Sequence, residues 1–437
     1  MSIDAPRHSM RESGQGLLVG IREGAARALC RVRKPLRAHA AEIYHLAFTL
    51  YCVAFVLSQT SIRHLLEPVS DGIKFVVIAM IFTLLVGVAE PLRFRIAQSL
   101  LVLVAITTYI TSGSTVVPFL LMFLAVGSTA DIRKMATIVF GVIGSGLALV
   151  LLGRLVGWIP DVSVVRPSGF VRYSLGFIHP NALGTLVFAC YAAFLLRREA
   201  RPRPRDLIMC AILVAGNLLI CNARGAAVAT ALFPLIYFLA ERVKDPERAR
   251  KIVVRVFIGV LALEAVFSVL MALAYSADYR LLRLLDAAMS GRLFYARYYW
   301  NAHPPRLLGQ NLAEFTDLAP LNDEVIIDNY IVHILIEAGI VASLLVLLLF
   351  VLSALALEDS NRYFSYTALG LTWLVLGMFE SHAVQFALNF TLVAAVPMLR
   401  SISEGSRPRS SSLMSRCRNR TVRSSGIAPG HDGGAPS

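Results

Sequence analysis

Five arginines, Arg280, Arg283, Arg292, Arg297 and Arg306, lie in a polar stretch from about Ala277 to Leu321. The apolar stretch after it, Val325 to about Leu357, opens on Asp328, Asn329 and Tyr330 and then carries His333 and Glu337 into its interior. A guanidinium fork binds phosphate oxygens bidentately and stays charged at any relevant pH. A carboxylate at the edge of an apolar stretch can serve as general base toward a hydroxyl. Side by side, these groups point to an anionic, lipid-linked substrate. At about 100° per residue, Asn329, Tyr330, His333 and Glu337 would share an arc of roughly 100°, a polar stripe about two turns deep. Polar stripes in membrane helices face protein or water, not lipid.

The elements that must position these groups are membrane helices. The chain has 437 residues, 57% of them hydrophobic and 16% charged, with a mean hydropathy of +0.66, which excludes an ordinary soluble domain and a disordered chain. Its apolar blocks run to about 17–25 residues, the length a helix needs to cross a hydrocarbon layer. Membrane strands would be about 10 residues long with alternating polarity. The predicted class is therefore an all-α polytopic membrane protein.

The net charge of +14, from 42 Lys+Arg against 28 Asp+Glu, would suggest nucleic acid in a soluble protein. Here the excess sits at the termini and in short loops, where it fixes orientation and attracts anionic lipid heads, so the bilayer is the expected partner and nucleic acid is not. The six cysteines, Cys30, Cys52, Cys190, Cys210, Cys221 and Cys417, show no metal-ligand spacing and read as inert apolar fillers. The sequence implies neither metal nor cofactor.

Basic residues divide the chain into a cytoplasmic N-terminal segment (1–41), a membrane domain (42–399) and a basic cytoplasmic tail (400–437) that its Ser, Gly and Pro content predicts to be disordered. The first apolar block lacks a small-residue cleavage signal and reads as an uncleaved anchor. Twelve spans are predicted, near Glu42–Ser58, Gly72–Ala89, Ile96–Thr111, Thr115–Thr129, Ala136–Trp158, Ile178–Leu196, Leu207–Cys221, Ala226–Leu239, Ile252–Tyr275, Val325–Leu357, Tyr363–Met378 and Ala383–Leu399. Both ends then lie inside, and a large extracytoplasmic loop, about 276–325, joins spans nine and ten. This arrangement satisfies the positive-inside rule at nearly every loop.

Once orientation is set, the informative arginines are those on the wrong side: Arg166, Arg172, Arg224, Arg292, Arg297 and Arg306. A phosphate or diphosphate at the outer surface would favour them there. Solvation of the loop is the competing account for Arg280, Arg283, Arg297 and Arg306, whereas Arg224, in a short turn between two spans, is held close to the bilayer plane. His179-Pro180-Asn181 stands at a predicted helix start, where it either caps free amides or adds their dipole to an anion site. Asp328 is either a carboxylate favoured by a helix N-terminus or a general base. His333 and Glu337 either share that chemistry or form a buried pair.

In their order along the chain, RYSLGFIHPNALG (Arg172–Gly184), NARGA (Asn222–Ala226), GRLFYARYYWNAHPPRLLGQN (Gly291–Asn311) and DNYIVHILIEAG (Asp328–Gly339) resemble the O-antigen polymerase and O-antigen ligase superfamily over spans six to ten. The resemblance implies that Arg172, Arg224 and Arg292 hold the diphosphate of an undecaprenyl-diphosphate-linked glycan. Asp328 would activate the acceptor hydroxyl, and His179, Asn181, Asn329, His333 and Arg306 would bind substrate. The ligase branch carries His-Asn, nine residues, then Gly; here Asp328 replaces the His, while Asn329 and Gly339 hold the matching places, as in the Asp-Asn form of capsule and exopolysaccharide polymerases. Asn222-Ala223 stands where Ser or Thr is usual before the arginine, and Gln310-Asn311 where a second Gly often follows Gly309.

The implied reaction is metal-independent polymerisation of lipid-linked repeat units at the outer face of the bacterial cytoplasmic membrane. A flippase and a chain-length regulator are the implied protein partners. Trp300, Tyr295, Tyr298 and Tyr299 offer faces on which sugars could stack, or anchors for the interface. Ligase-type transfer to a surface anchor and a twelve-span transporter are the alternatives.

Overall fold

A backbone in hydrocarbon must satisfy its N–H and C=O groups within its own segment, so long apolar runs fold as helices. The computed structural model describes residues 35–165, 169–198, 203–242, 245–312, 327–358 and 364–405. The predicted N-terminal segment up to residue 34, Arg166, part of the large loop (313–326) and the tail from residue 406 lie outside the described residues.

In chain order the helices are α1 (Ala40–Ser58), α2 (Arg63–Gly87), α3 (Leu92–Ser112), α4 (Val116–Ala125) and α5 (Ile132–Leu155). A short antiparallel hairpin, β1 (Ser163–Val165) and β2 (Val171–Tyr173), leads to α6 (Pro180–Arg197), α7 (Pro204–Leu219), α8 (Arg224–Glu241) and α9 (Pro246–Ala274). Two helices follow within the large polar segment, α10 (Arg280–Ala288) and α11 (Arg292–Ala302), and then α12 (Tyr330–Glu337), α13 (Gly339–Glu358), α14 (Phe364–Gly377) and α15 (Ala395–Glu404). Seven of these, α1, α2, α3, α5, α6, α9 and α13, are long and apolar enough to cross a membrane, which is the build of an all-α membrane protein. Leu103 and Ile110 on α3, Phe75 on α2 and Leu263 on α9 are exposed, as residues facing lipid would be.

Predicted spans seven, eight and eleven hold α7, α8 and α14, of 16, 18 and 14 residues, which are not among those seven, and the structure departs further from twelve continuous spans in three places. In predicted span four the α-helix, α4, is ten residues long, about 15 Å at the helical rise and half of a hydrocarbon layer of about 30 Å, and a 3₁₀ turn at Gly127–Thr129 follows it. Predicted span twelve is not a continuous helix: 3₁₀ turns at Ser381–Val384 and Phe390–Ala394 flank non-helical backbone before α15 begins. Irregular backbone at such depth survives only where protein surrounds it. Both segments are interior, and they pack on each other through stacked Phe123 and Phe386, ring centroids 5.1 Å apart. Asn389 supplies local partners, its Nδ2 donating to Ala383 O at 2.8 Å and its Oδ1 accepting from Thr391 Oγ1 at 2.6 Å.

The third departure is span ten, which breaks between α12 and α13 at Gly339, whose φ is +88°. A loop running 303–312 seals the break. Gln310 N donates to Glu337 O (3.0 Å), while Ile340 N and Val341 N donate to Arg306 O and Leu307 O (3.0 and 3.2 Å). Gly309, at φ +92°, faces Gly339 so closely that a Cβ on Gly339 would lie 2.2 Å from Gly309 N. Gly339→Ala combines a left-handed backbone with main-chain overlap, an expected loss of about 2–5 kcal/mol of stability. Thermal melting of the purified protein checks this, and an unchanged midpoint would remove the clasp as a constraint.

Candidate functional site

Successive strand residues point to opposite faces, and on β2 this turns Arg172 inward while Val171 and Tyr173 face out. Arg172 is buried, with Nε donating to Cys221 O at 2.8 Å and Nη2 donating to Asn181 Oδ1. Asn181 sits in the first turn of α6, where Pro180 takes the start and His179 is the N-cap, its Nδ1 accepting from Asn181 N at 3.1 Å. Thus His179 is engaged in capping, while Asn181 joins the arginine.

The turn before α8 uses a left-handed Asn222 (φ +45°), and Gly225 lies so close to Phe379 that an added Cβ would stand 3.0 Å from its Cβ. Arg224, between them, is exposed and makes no side-chain hydrogen bond or ion pair to another described residue. The same close packing brings the end of α14 to the start of α11. There Arg292 donates from Nε to Phe379 O and from Nη1 to Met289 O, both at 2.9 Å. Its Nη2 meets Asp328 Oδ2 at 2.8 Å and Glu380 Oε1 at 3.4 Å.

A pocket of about 200 Å³ opens at this meeting point, lined among others by Asn181, Asn222, Arg224, Ser290, Arg292 and Glu380. It is smaller than the roughly 300–1,000 Å³ typical of drug-sized ligand sites. Three of the arginine and asparagine positions singled out in the sequence therefore converge on one cavity, with Arg172 behind Asn181.

Asp328 lies just ahead of α12 and half-buried against Arg292. Burial raises its carboxyl above the ordinary range, and the charges of Arg292, Arg172 and His333 pull it back. Asn329 is the N-cap of α12. Its Oδ1 accepts from Ile331 N and Val332 N (3.1 and 3.0 Å) and its Nδ2 donates to Ser268 Oγ at 2.8 Å, so its side chain is taken up in holding the helix start against α9.

Along the expected polar stripe, Asn329 precedes the helix, the Tyr330 hydroxyl points to Glu264 of α9 at 3.4 Å, and His333 Nε2 pairs with Glu337 Oε2 at 3.2 Å. Arg306 is exposed in the clasp loop and does not line the pocket. Arg297 donates to Leu273 O and Ala272 O and so caps the end of α9. Tyr299 is buried in an apolar cluster with Ile327 and Val332, which leaves its face covered, and Tyr295, Tyr298 and Trp300 pack against the same cluster. Among the described residues no three His, Cys, Asp or Glu side chains converge in a metal-binding arrangement.

No family model, curated protein or solved structure matches the chain.

Two acids that sequence reasoning passed over belong to this neighbourhood. Glu380 appears in the sequence as part of a polar turn, yet its side chain is only 6% exposed and shares Arg292 with Asp328. Glu264 stands in the middle of α9 and is buried, with Oε1 unpartnered among the described residues. Its position four residues before Ser268, on the face that meets α12, is a helical-spacing signal visible in the sequence. Glu380 carried no such signal.

Proposed function

We propose that this protein is a polysaccharide polymerase that joins undecaprenyl-diphosphate-linked oligosaccharide repeat units at the outer face of the bacterial cytoplasmic membrane. The observation that carries the reading is the pocket in which Arg224 and Arg292 meet beside Asn181, with Asp328 bound to the same Arg292. An uncommitted arginine and a fixed one at one cavity suit a lipid diphosphate. Preorganised cations stabilise charge as it develops on a leaving diphosphate. Asp328, within reach of that centre, would accept the proton of the attacking sugar hydroxyl as the glycosyl–phosphate bond breaks.

The broken span bears on the transporter alternative. Transporters use the freed ends of interrupted helices as substrate or ion sites. In this chain the ends beside Gly339 are already bonded, Glu337 O to Gln310 N and the amides of Ile340 and Val341 to the clasp loop. That arrangement favours a fixed scaffold over an ion site at the break.

The test is the length distribution of lipid-linked and surface glycan in cells lacking the gene. Single repeat units that still reach the surface anchor support polymerisation, long polymer stranded on its carrier supports ligase-type transfer, and unchanged glycan overturns both. Complementation with Arg224→Ala is expected to lower polymer by about tenfold, the loss of one charge-assisted phosphate contact, at unchanged protein level. Wild-type chain lengths in that strain would remove Arg224 from diphosphate binding.

A further inference from the structure

Glu380 is the acid among the described residues that line the pocket, and it stands there with Arg224 and Arg292. A carboxylate in an anion pocket repels the ligand unless it is neutral. Its surroundings bear on that. Asp328 and Glu380 approach the same Nη2 of Arg292, at 2.8 and 3.4 Å, so two like charges compete for one cation in a buried place. Burial and then the Asp328 charge push the Glu380 carboxyl well above the usual range, against the pull of Arg292 and Arg172. His382 Nδ1 is 4.0 Å from Glu380 Oε2, but burial and the facing His333 push the imidazole down to about 4, so it is uncharged near neutral pH and offers no countercharge.

We propose that anion binding in this pocket is coupled to the uptake of one proton by Glu380, which then donates an O–H to the bound phosphoryl oxygen instead of repelling it. The ligand class is a fully ionised phosphoester or diphosphate headgroup. The proposal rests on reading the pocket as the anion site of the proposed polymerase. The step is a protonation only: the proton comes from bulk water and returns there when the anion leaves. Its sign follows from linkage. Below the pKa of Glu380 in the empty protein the acid is already neutral and affinity is flat. Above it each bound anion must bring a proton, and the dissociation constant rises toward tenfold per pH unit.

The experiment is equilibrium binding of radiolabelled inorganic sulfate, which stays fully ionised from about pH 5 to about pH 9, to the full-length protein in nanodiscs. Wild type is expected to bind progressively more weakly as pH rises, Glu380→Gln to bind with a flat profile, and Arg224→Ala to bind at least about fivefold more weakly at every pH, as a lost contact of about 1 kcal/mol would give. A flat wild-type profile, or a Gln variant that keeps the slope, overturns the proton coupling and leaves the anion pocket standing if Arg224→Ala still weakens binding. Sulfate that fails to bind wild type even at about pH 5 overturns both the coupling and the anion pocket. Should Glu380→Gln not elute as a single folded species, the wild-type profile alone decides.

Discussion

Arg292→Ala is expected to make no long polymer, with the rate of repeat-unit addition down by a factor on the order of 10²–10³, as when a preorganised charge-stabilising donor is removed. The same change leaves Asp328 and Glu380 facing one another without their shared cation. Breaking a buried ion pair from one side costs about 3–5 kcal/mol, because the remaining charge stays desolvated. The two effects separate in a double variant. Arg292→Ala with Glu380→Gln removes one of the stranded acids and should regain much of the stability, while activity stays lost. Lysine at 292 cannot reach two carbonyls and two carboxylates with a single ammonium, so it should rescue neither fully. Addition of purified lipid-linked repeats, followed by gel, measures the rate; normal chain lengths from Arg292→Ala would sink the role assigned to this residue.

Asp328→Asn keeps the size of the side chain and an oxygen for Arg292 but removes basicity, and the expected loss is about 10²–10⁴-fold in rate. The pH profile sharpens the test. Because burial holds the Asp328 carboxyl above its ordinary range, the base form appears only as pH rises through that raised value. The wild-type rate should therefore climb along an acid limb that the Asn variant lacks. Full activity in the variant would remove Asp328 as base and turn attention to His333, which is paired with Glu337.

Much of this site was legible because membrane topology makes certain residues anomalous. Arg172, Arg224 and Arg292 stood out as cations where the positive-inside rule disfavours them, and the fold gathers them beside Asn181. Asp328 stood out as a charge at the edge of an apolar run. Glu380 did not, because its partner Arg292 lies 88 residues away and a polar turn is its ordinary surrounding. Asn329 carries two signals at once. Its place in a familiar pattern suggested binding, although asparagine ahead of an apolar helical run is also a strong capping signal, and capping is what its side chain does. The apolar run from Ala383 to Leu399 predicted a helix because hydropathy reports where a segment lies and not how its backbone is bonded. Asn389, in the middle of that run, marks the place where side-chain groups take over from helical hydrogen bonds.

The position of that irregular segment also constrains how the protein is made. A nascent helix can leave the insertion machinery for lipid on its own, since its hydrogen bonds are internal. The stretch from Ser381 to Ala394 cannot, because its turns and extended backbone need walls of protein, and those walls include Phe48 of α1 and Phe123 of α4, made some hundreds of residues earlier. This interior segment is therefore made only after the helices that wall it. Until the ribosome has passed residue 394 the earlier helices must wait around an unfilled groove, and a chain cut short before Ser381 would present aromatic interior to lipid and to quality-control proteases.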